Sequence, residues 1–139
     1  MAQLNRIPSV IAARNGVRAA TDITGFGLVG HAAAIAKQSG ITLEIDSRAL
    51  PLLAGALDLA PTSQPSGLKA NRAQFGGLVR FASPAPGAAL QALLFDPQTS
   101  GGLLLLVPEK NRDAVLAELP HARAIGTARP AGEHPIVVL

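Results

Sequence analysis

The amino-acid sequence predicts an α/β domain, an α+β sandwich in which helices pack on a mixed β-sheet. Three observations carry that expectation. Segments of helical periodicity alternate with short extended ones, the pattern of layered α/β folds. Ile41, Leu43 and Ile45 alternate with Thr42, Glu44 and Asp46, the period-two signature of a half-buried strand. Leu103 to Val107 is apolar at every position, and the segment from Gly102 to Val107 therefore predicts a strand buried on both faces.

The elements follow in order. Leu4, Ile7 and Ile11 fall on one helical face, with Pro8 tolerated near a first turn and Gly16 placed to end the helix. Val17 to Thr21 is a short apolar strand. A glycine-punctuated turn leads into a helix over Leu28 to Gln38, closed by Gly40. After the alternating strand, Ser47 to Ala60 is a short helical region broken by Pro51. Residues 61–68 (PTSQPSGL) lack periodicity and predict a loop. Leu78 to Ala82 is a strand, and Ala88 to Phe95 a helix with Leu90, Leu93 and Leu94 on one side. Glu109 to Leu119 is amphipathic through Ala114, Val115 and Leu119, with Pro108 suited to its start. Ala124 to Ala128 and Ile136 to Leu139 are the last extended segments.

Composition narrows the function classes. At 139 residues, 48% hydrophobic and 15% charged, the chain predicts one folded domain over residues 1–139. Cysteine is absent, which excludes a disulfide scaffold, a thiolate zinc site, a redox pair and a cysteine nucleophile within these residues. The 26 Ala, 20 Leu and four Phe leave an aliphatic core. The net charge of +3 comes from nine Arg and three Lys placed singly, without the basic stripe and exposed aromatics that nucleic acid requires. No apolar run approaches the ~20 residues of a membrane span, and Met1 to Arg6 lacks a signal-peptide core. The expectation is a cytoplasmic protein that binds neither nucleic acid nor membrane.

Two dense loops carry the chemistry. The first runs from Thr21 to His31 (TDITGFGLVGH) and places Gly25, Gly27 and Gly30 at G-x-G-x-x-G spacing, with Asp46 sixteen residues further on. By spacing this imitates a dinucleotide fingerprint. A carboxylate at Asp22, however, would repel a pyrophosphate unless a cation lay between them. A nucleotide fold and a magnesium–phosphate site both remain open on spacing alone. Each residue also has a purely structural role available: Asp22 can form an Asx turn, and Thr24 can cap the following helix. One carboxylate is an incomplete magnesium site in any case. His31, at the helix start, suits a packed or hydrogen-bonded position, and His121 and His134 lack zinc spacing.

The second loop runs from Asp96 to Gly102 (DPQTSGG). Thr99 and Ser100 hydroxyls with the N–H groups of Gly101 and Gly102 can make an anion-binding nest. An ordinary helix-to-strand connection is the simpler account of the same residues.

The two loops resemble a known family. TDITGFGLVGH over Thr21–His31 looks like the first signature of selenophosphate synthetases (selenide, water dikinases), and DPQTSGGL over Asp96–Leu103 resembles the second. Leu43–Asp46 (LEID) and Gly67–Arg72 (GLKANR) resemble the family less distinctively. The resemblance covers only the family's C-terminal half, a domain shared with aminoimidazole ribonucleotide synthetase, thiamine-monophosphate kinase and a hydrogenase maturation protein. It implies an α/β domain of that group, partnered by its own N-terminal ATP-binding domain, and a homodimer when full length. That N-terminal part supplies the family's catalytic Cys or selenocysteine, a Lys and further Asp ligands, so no catalytic residue is expected in this chain. The resemblance implies that Asp22 reaches magnesium on the ATP phosphates and that Thr24, Gly25, Thr99, Ser100, Gly101 and Gly102 face phosphate. The implied cofactors, Mg²⁺ and ATP, both need the N-terminal domain, and the chain alone is expected to turn nothing over. A dinucleotide-binding domain using Gly25, Gly27, Gly30 and Asp46, and a non-catalytic phosphate-binding or dimerisation module, are the competing expectations.

Overall fold

Two β-sheets of unequal size organise the chain, which a computed structural model describes over residues 4–139. The elements are α1 (Arg6–Arg14), β1 (Ala19–Asp22), α2 (Gly27–Ser39), β2 (Ile41–Ile45), α3 (Ala56–Leu59), α4 (Ser66–Phe75), β3 (Val79–Phe81), α5 (Ala88–Leu93), β4 (Leu103–Leu106), α6 (Arg112–Glu118), β5 (Gly126–Pro130) and β6 (Ile136–Val138). Among the described residues no helix is long and apolar enough to cross a membrane.

The larger sheet has the order β3-β6-β2-β5. β6 runs parallel to both β3 and β2, pairing Ile136 with Val79 and Leu43, whereas β5 pairs antiparallel with β2. The sheet is therefore mixed, as the alternating pattern predicts. Strict alternation breaks at Thr42, which is buried beside Leu43. Its hydroxyl explains why: Oγ1 donates to the His134 carbonyl at 2.8 Å and accepts from the Gly132 N–H at 2.9 Å, tying down the β5–β6 connection. At the edge of the sheet, β5 is exposed throughout and ends at Pro130, a residue that suits an edge because it donates no ladder bond.

The core lies between this sheet and α2. Val29, Ala32 and Ala36 of α2 are wholly buried, and Leu43, Ile45, Ile136 and Val138 meet them from the strands. Alanines on α2 let the helix lie close to β1, β2, β6 and α4. Gly40 ends the helix in the left-handed conformation, as expected from its position.

Three expectations need correction. The loop assigned to residues 61–68 ends earlier, because α4 starts at Ser66 and continues to Phe75. Its only buried side chains are Leu68 and Asn71, too few to give an apolar periodicity. The face built from Leu4, Ile7 and Ile11 packs only in part: Ile11 is buried with Ala12, while Leu4 and Ile7 remain exposed. Finally, β4 is not buried on both faces. It pairs with β1 alone, as a two-stranded antiparallel ribbon, and all four of its leucines are half-buried. Leu104 and Leu106 pack on the core with Ala19. Leu103 and Leu105 share the opposite face with Ala20 and Asp22, and line an open groove of about 380 Å³ against Ala12 and Ala13 of α1.

Candidate functional site

The β1–β4 register brings the two dense loops together. Asp22, the last residue of β1, stands opposite Leu103, the first residue of β4, so the first loop leaves the ribbon where the second enters it. The ladder then continues beyond the strands. The Ile23 N–H donates to the Gly102 carbonyl at 2.9 Å, the Gly101 N–H to the Ile23 carbonyl at 2.9 Å, and the Gln98 N–H to the Thr24 carbonyl at 3.0 Å. Residues far apart in the sequence thus form one surface.

On that surface Asp22 is exposed, and among the described residues no side chain pairs with its carboxylate. The Asx turn open to it is not formed. Thr24 does not cap a helix either. Phe26 occupies the cap position of α2 with no side-chain hydrogen bond, while Thr24 Oγ1 lies 3.1 Å from His31 Nε2 on the first turns of α2. The Phe26 ring covers the His31 ring at 5.4 Å and meets Phe75 edge-on at 5.5 Å. Gly25 is exposed, with open space around its Cα. Gly27 has φ +68°, and a Cβ there would stand 2.9 Å from the Asp96 carbonyl oxygen. Only glycine lets α2 begin so close to the second loop.

In the second loop Thr99 and Ser100 are exposed. The anticipated nest is reduced, because the Gly101 N–H is committed to Ile23. The hydroxyls of Thr99 and Ser100 and the backbone of half-buried Gly102 are what the loop presents. Asp96 opens the loop with its carboxylate accepting from Gln98 Nε2 at 2.8 Å. Burial pushes its pKa up, against the smaller lowering effect of that hydrogen bond.

The dinucleotide reading does not hold. β1 and β2 lie in different sheets, so the glycine triad does not sit in a parallel βαβ unit. Asp46 instead accepts from the Arg48 N–H at 3.0 Å and from its guanidinium at 3.0 and 3.2 Å, and the hydrogen bonds to that side chain hold its carboxyl below the ordinary range. His121 is exposed and His134 is half-buried. Among the described residues no three His, Cys, Asp or Glu side chains gather as a metal-binding group.

Sequence reasoning missed Asn71 on α4. It is 5% exposed, and its Nδ2 donates to the carbonyls of Gly25 and Phe95, both at 2.9 Å. The available signal was its place three residues after Leu68, a polar side chain on the buried side of a helix.

Comparison with known proteins follows the same lines. Residues 1–138 match the family described as AIR synthase related protein, C-terminal domain. The selenide, water dikinase of Geobacter metallireducens is 39% identical over 143 residues, covering 99% of this chain and 41% of that protein. The selenide, water dikinase of Burkholderia pseudomallei is 45% identical over 116 residues, covering 83% of this chain and 32% of that protein. This chain thus spans well under half the length of these relatives. Among solved structures, hydrogenase maturation protein HypE in complex with ATP superposes with a TM-score of 0.57 over 95% of this chain and 33% of its own, at 22% identity, and so shares the fold. The chain belongs to the family of AIR synthase related protein C-terminal domains, in which its similarity is to the selenide, water dikinases.

Proposed function

We propose that this domain completes the magnesium–ATP site of a selenide, water dikinase, the enzyme that converts ATP, selenide and water into selenophosphate, AMP and phosphate. One observation carries the reading. Asp22 places an exposed carboxylate at the end of β1, and no described side chain pairs with it there. In the adjoining loop the hydroxyl-bearing Thr99 and Ser100 lie between Gln98 and Gly101, whose backbone bonds to Thr24 and Ile23 join the two loops.

A lone carboxylate oxygen suits magnesium as one ligand of several, because that ion takes octahedral oxygen donors and keeps phosphate oxygens and water among them. The remaining protein ligands come from the N-terminal ATP-binding domain. Magnesium, when bound, offsets negative charge on the phosphates during phosphoryl transfer. The residues of this chain orient and position: Asp22 faces the metal, Thr24 holds its hydroxyl toward the same corner through His31, and Thr99, Ser100 and Gly102 face phosphate oxygen. Gly25 leaves room for a close approach, and Gly101 keeps the two loops in register. The N-terminal domain lies over the open face of the β1–β4 ribbon, where Leu103, Leu105 and Ala20 adjoin Asp22.

The test joins this chain to the N-terminal region of the Geobacter relative and measures selenide-dependent formation of AMP. The joined protein is expected to turn over, the isolated chain is not, and Asp22→Asn should lower turnover by about 100-fold or more, as loss of one electrostatic stabiliser does. Near-normal turnover by the Asp22→Asn protein would remove Asp22 from the site, and turnover by the isolated chain would remove the need for a partner domain.

A further inference from the structure

Helix α4 contacts both loops. At Gly67 it approaches Pro97 so closely that a Cβ would stand 3.1 Å from Pro97 Cγ. One turn later Asn71 reaches between the loops, donating to Gly25 in the first and to Phe95 at the entrance to the second. A primary amide nitrogen carries two hydrogens, and here each has its own carbonyl. An ionised carboxylate of the same size has none, and would meet both carbonyls as an acceptor facing acceptors.

We propose that Asn71 is a positioning residue that sets the spacing between the Asp22–Gly25 loop and the Asp96–Gly102 loop, and through it the place of Asp22 relative to Thr99 and Ser100. This rests on the site reading given above. The three backbone bonds between the loops all involve Ile23 or Thr24, before the tip of the first loop. Gly25, at the tip, has no heavy atom of a neighbour within 4 Å of an ideal Cβ, so side-chain packing there cannot hold it. Asn71 supplies the anchor at that point. The same nitrogen grips the Phe95 carbonyl, so a shift of either loop breaks one of its bonds.

The experiment measures amide hydrogen exchange by NMR on the whole chain, without ATP, magnesium or selenide. Its result therefore stands apart from whether Asp22 binds a metal. In Asn71→Asp, the amides of Ile23, Gln98 and Gly101 are expected to exchange about 10-fold faster or more, while those of Leu43, in the larger sheet, and of Ala82 and Leu139, bonded to its strands at their ends, change by less than about threefold. Equal acceleration at all six amides would make Asn71 a general support of the fold, and unchanged exchange in the loops would remove it from their spacing. Should Asn71→Asp fail to fold, Asn71→Ser decides: its hydroxyl sits one bond short of the Nδ2 position and adds no charge, so it is expected to show the same local acceleration to a smaller degree, and wild-type exchange in its loops would overturn the proposal.

Discussion

The carbonyl of Ile23 accepts a hydrogen bond from the Gly101 N–H at 2.9 Å, and the two residues are close enough that a Cβ on Gly101 would meet the Ile23 Cβ, Cγ2 and carbonyl oxygen at 2.9 Å. A rotamer change at Ile23 moves only Cγ2, leaving the crowding by Cβ and the carbonyl oxygen. The carbonyl cannot withdraw without opening the ladder between the loops. Gly101→Ala is therefore expected to destabilise the chain by about 1–3 kcal/mol, the range of overpacking in a close-fitted contact. Urea unfolding checks it: the midpoint should fall while the denaturant slope stays constant. An unchanged midpoint would mean the loops are not joined in this register.

Gly25 and Gly27 belong to the same glycine triad but carry opposite expectations. Gly27 has φ +68° and backbone atoms of Phe95 and Asp96 at 2.9 Å from an ideal Cβ, whereas Gly25 has neither a positive φ nor a neighbour within 4 Å. Gly27→Ala combines overpacking with left-handed strain and should cost about 2–4 kcal/mol. Gly25→Ala should change stability by less than about 0.5 kcal/mol. Thermal unfolding of the two variants side by side gives the comparison, and equal losses would contradict the packing described for Gly27.

Asp96 makes stability depend on pH in a defined direction. Burial raises its pKa, so the folded chain takes up a proton at higher pH than the unfolded chain does. Above the raised value, the ionised carboxylate is a standing cost to the fold. That cost is relieved as the pH falls through the folded-state pKa toward the unfolded value near 3.8. Asp96→Asn keeps an oxygen to accept from Gln98 and removes the charge. The variant should be more stable than the wild type at neutral pH, with its advantage shrinking as the pH is lowered toward 4. A pH series of melting temperatures would contradict this if the advantage grew on acidification.

The elements that were legible in the sequence are those whose own apolar spacing does the packing. β2 alternates because one face meets α2, and α2 itself is bounded by an unmistakable Gly40. Helix α4 was not legible, since Pro65, Ser66 and Gly67 have loop chemistry and only Leu68 supplies a buried apolar contact. Beside the packing of Phe75 on the core and Phe26, α4 is held by the pair of hydrogen bonds from Asn71 and the close approach of Gly67 to Pro97, which exist only after folding. The site divides in the same way. Asp22, Thr24, Thr99 and Ser100 stand out by chemistry, but their adjacency depends on the β1–β4 register, and Thr24's partner is His31 rather than a helix N–H. Glycine spacing misled where it suggested a dinucleotide fold, because spacing along the chain does not report which sheet the next strand joins.

The leucines of β4 give the last prediction. An unbroken apolar strand implies cover on both sides, and the described residues supply it unequally, with the core on one side and an open groove lined by Ala12, Ala13 and Val17 on the other. Leu104 packs on the core with Leu106, whereas Leu105 lies across from Ala20 in the open groove beside α1. Leu104→Ala should cost about 2 kcal/mol, toward the low end for core leucines because the residue is half-buried. Leu105→Ala in the isolated chain should cost less than about 1 kcal/mol, since Leu105 lines the open groove and does not pack on the core. Joined to an N-terminal domain that covers the groove, the order should narrow, with Leu105→Ala becoming comparable to Leu104→Ala in its effect on unfolding. If Leu105→Ala stays nearly neutral in the joined protein, the partner domain does not rest on this face, and the apolar run of β4 must be covered by something else.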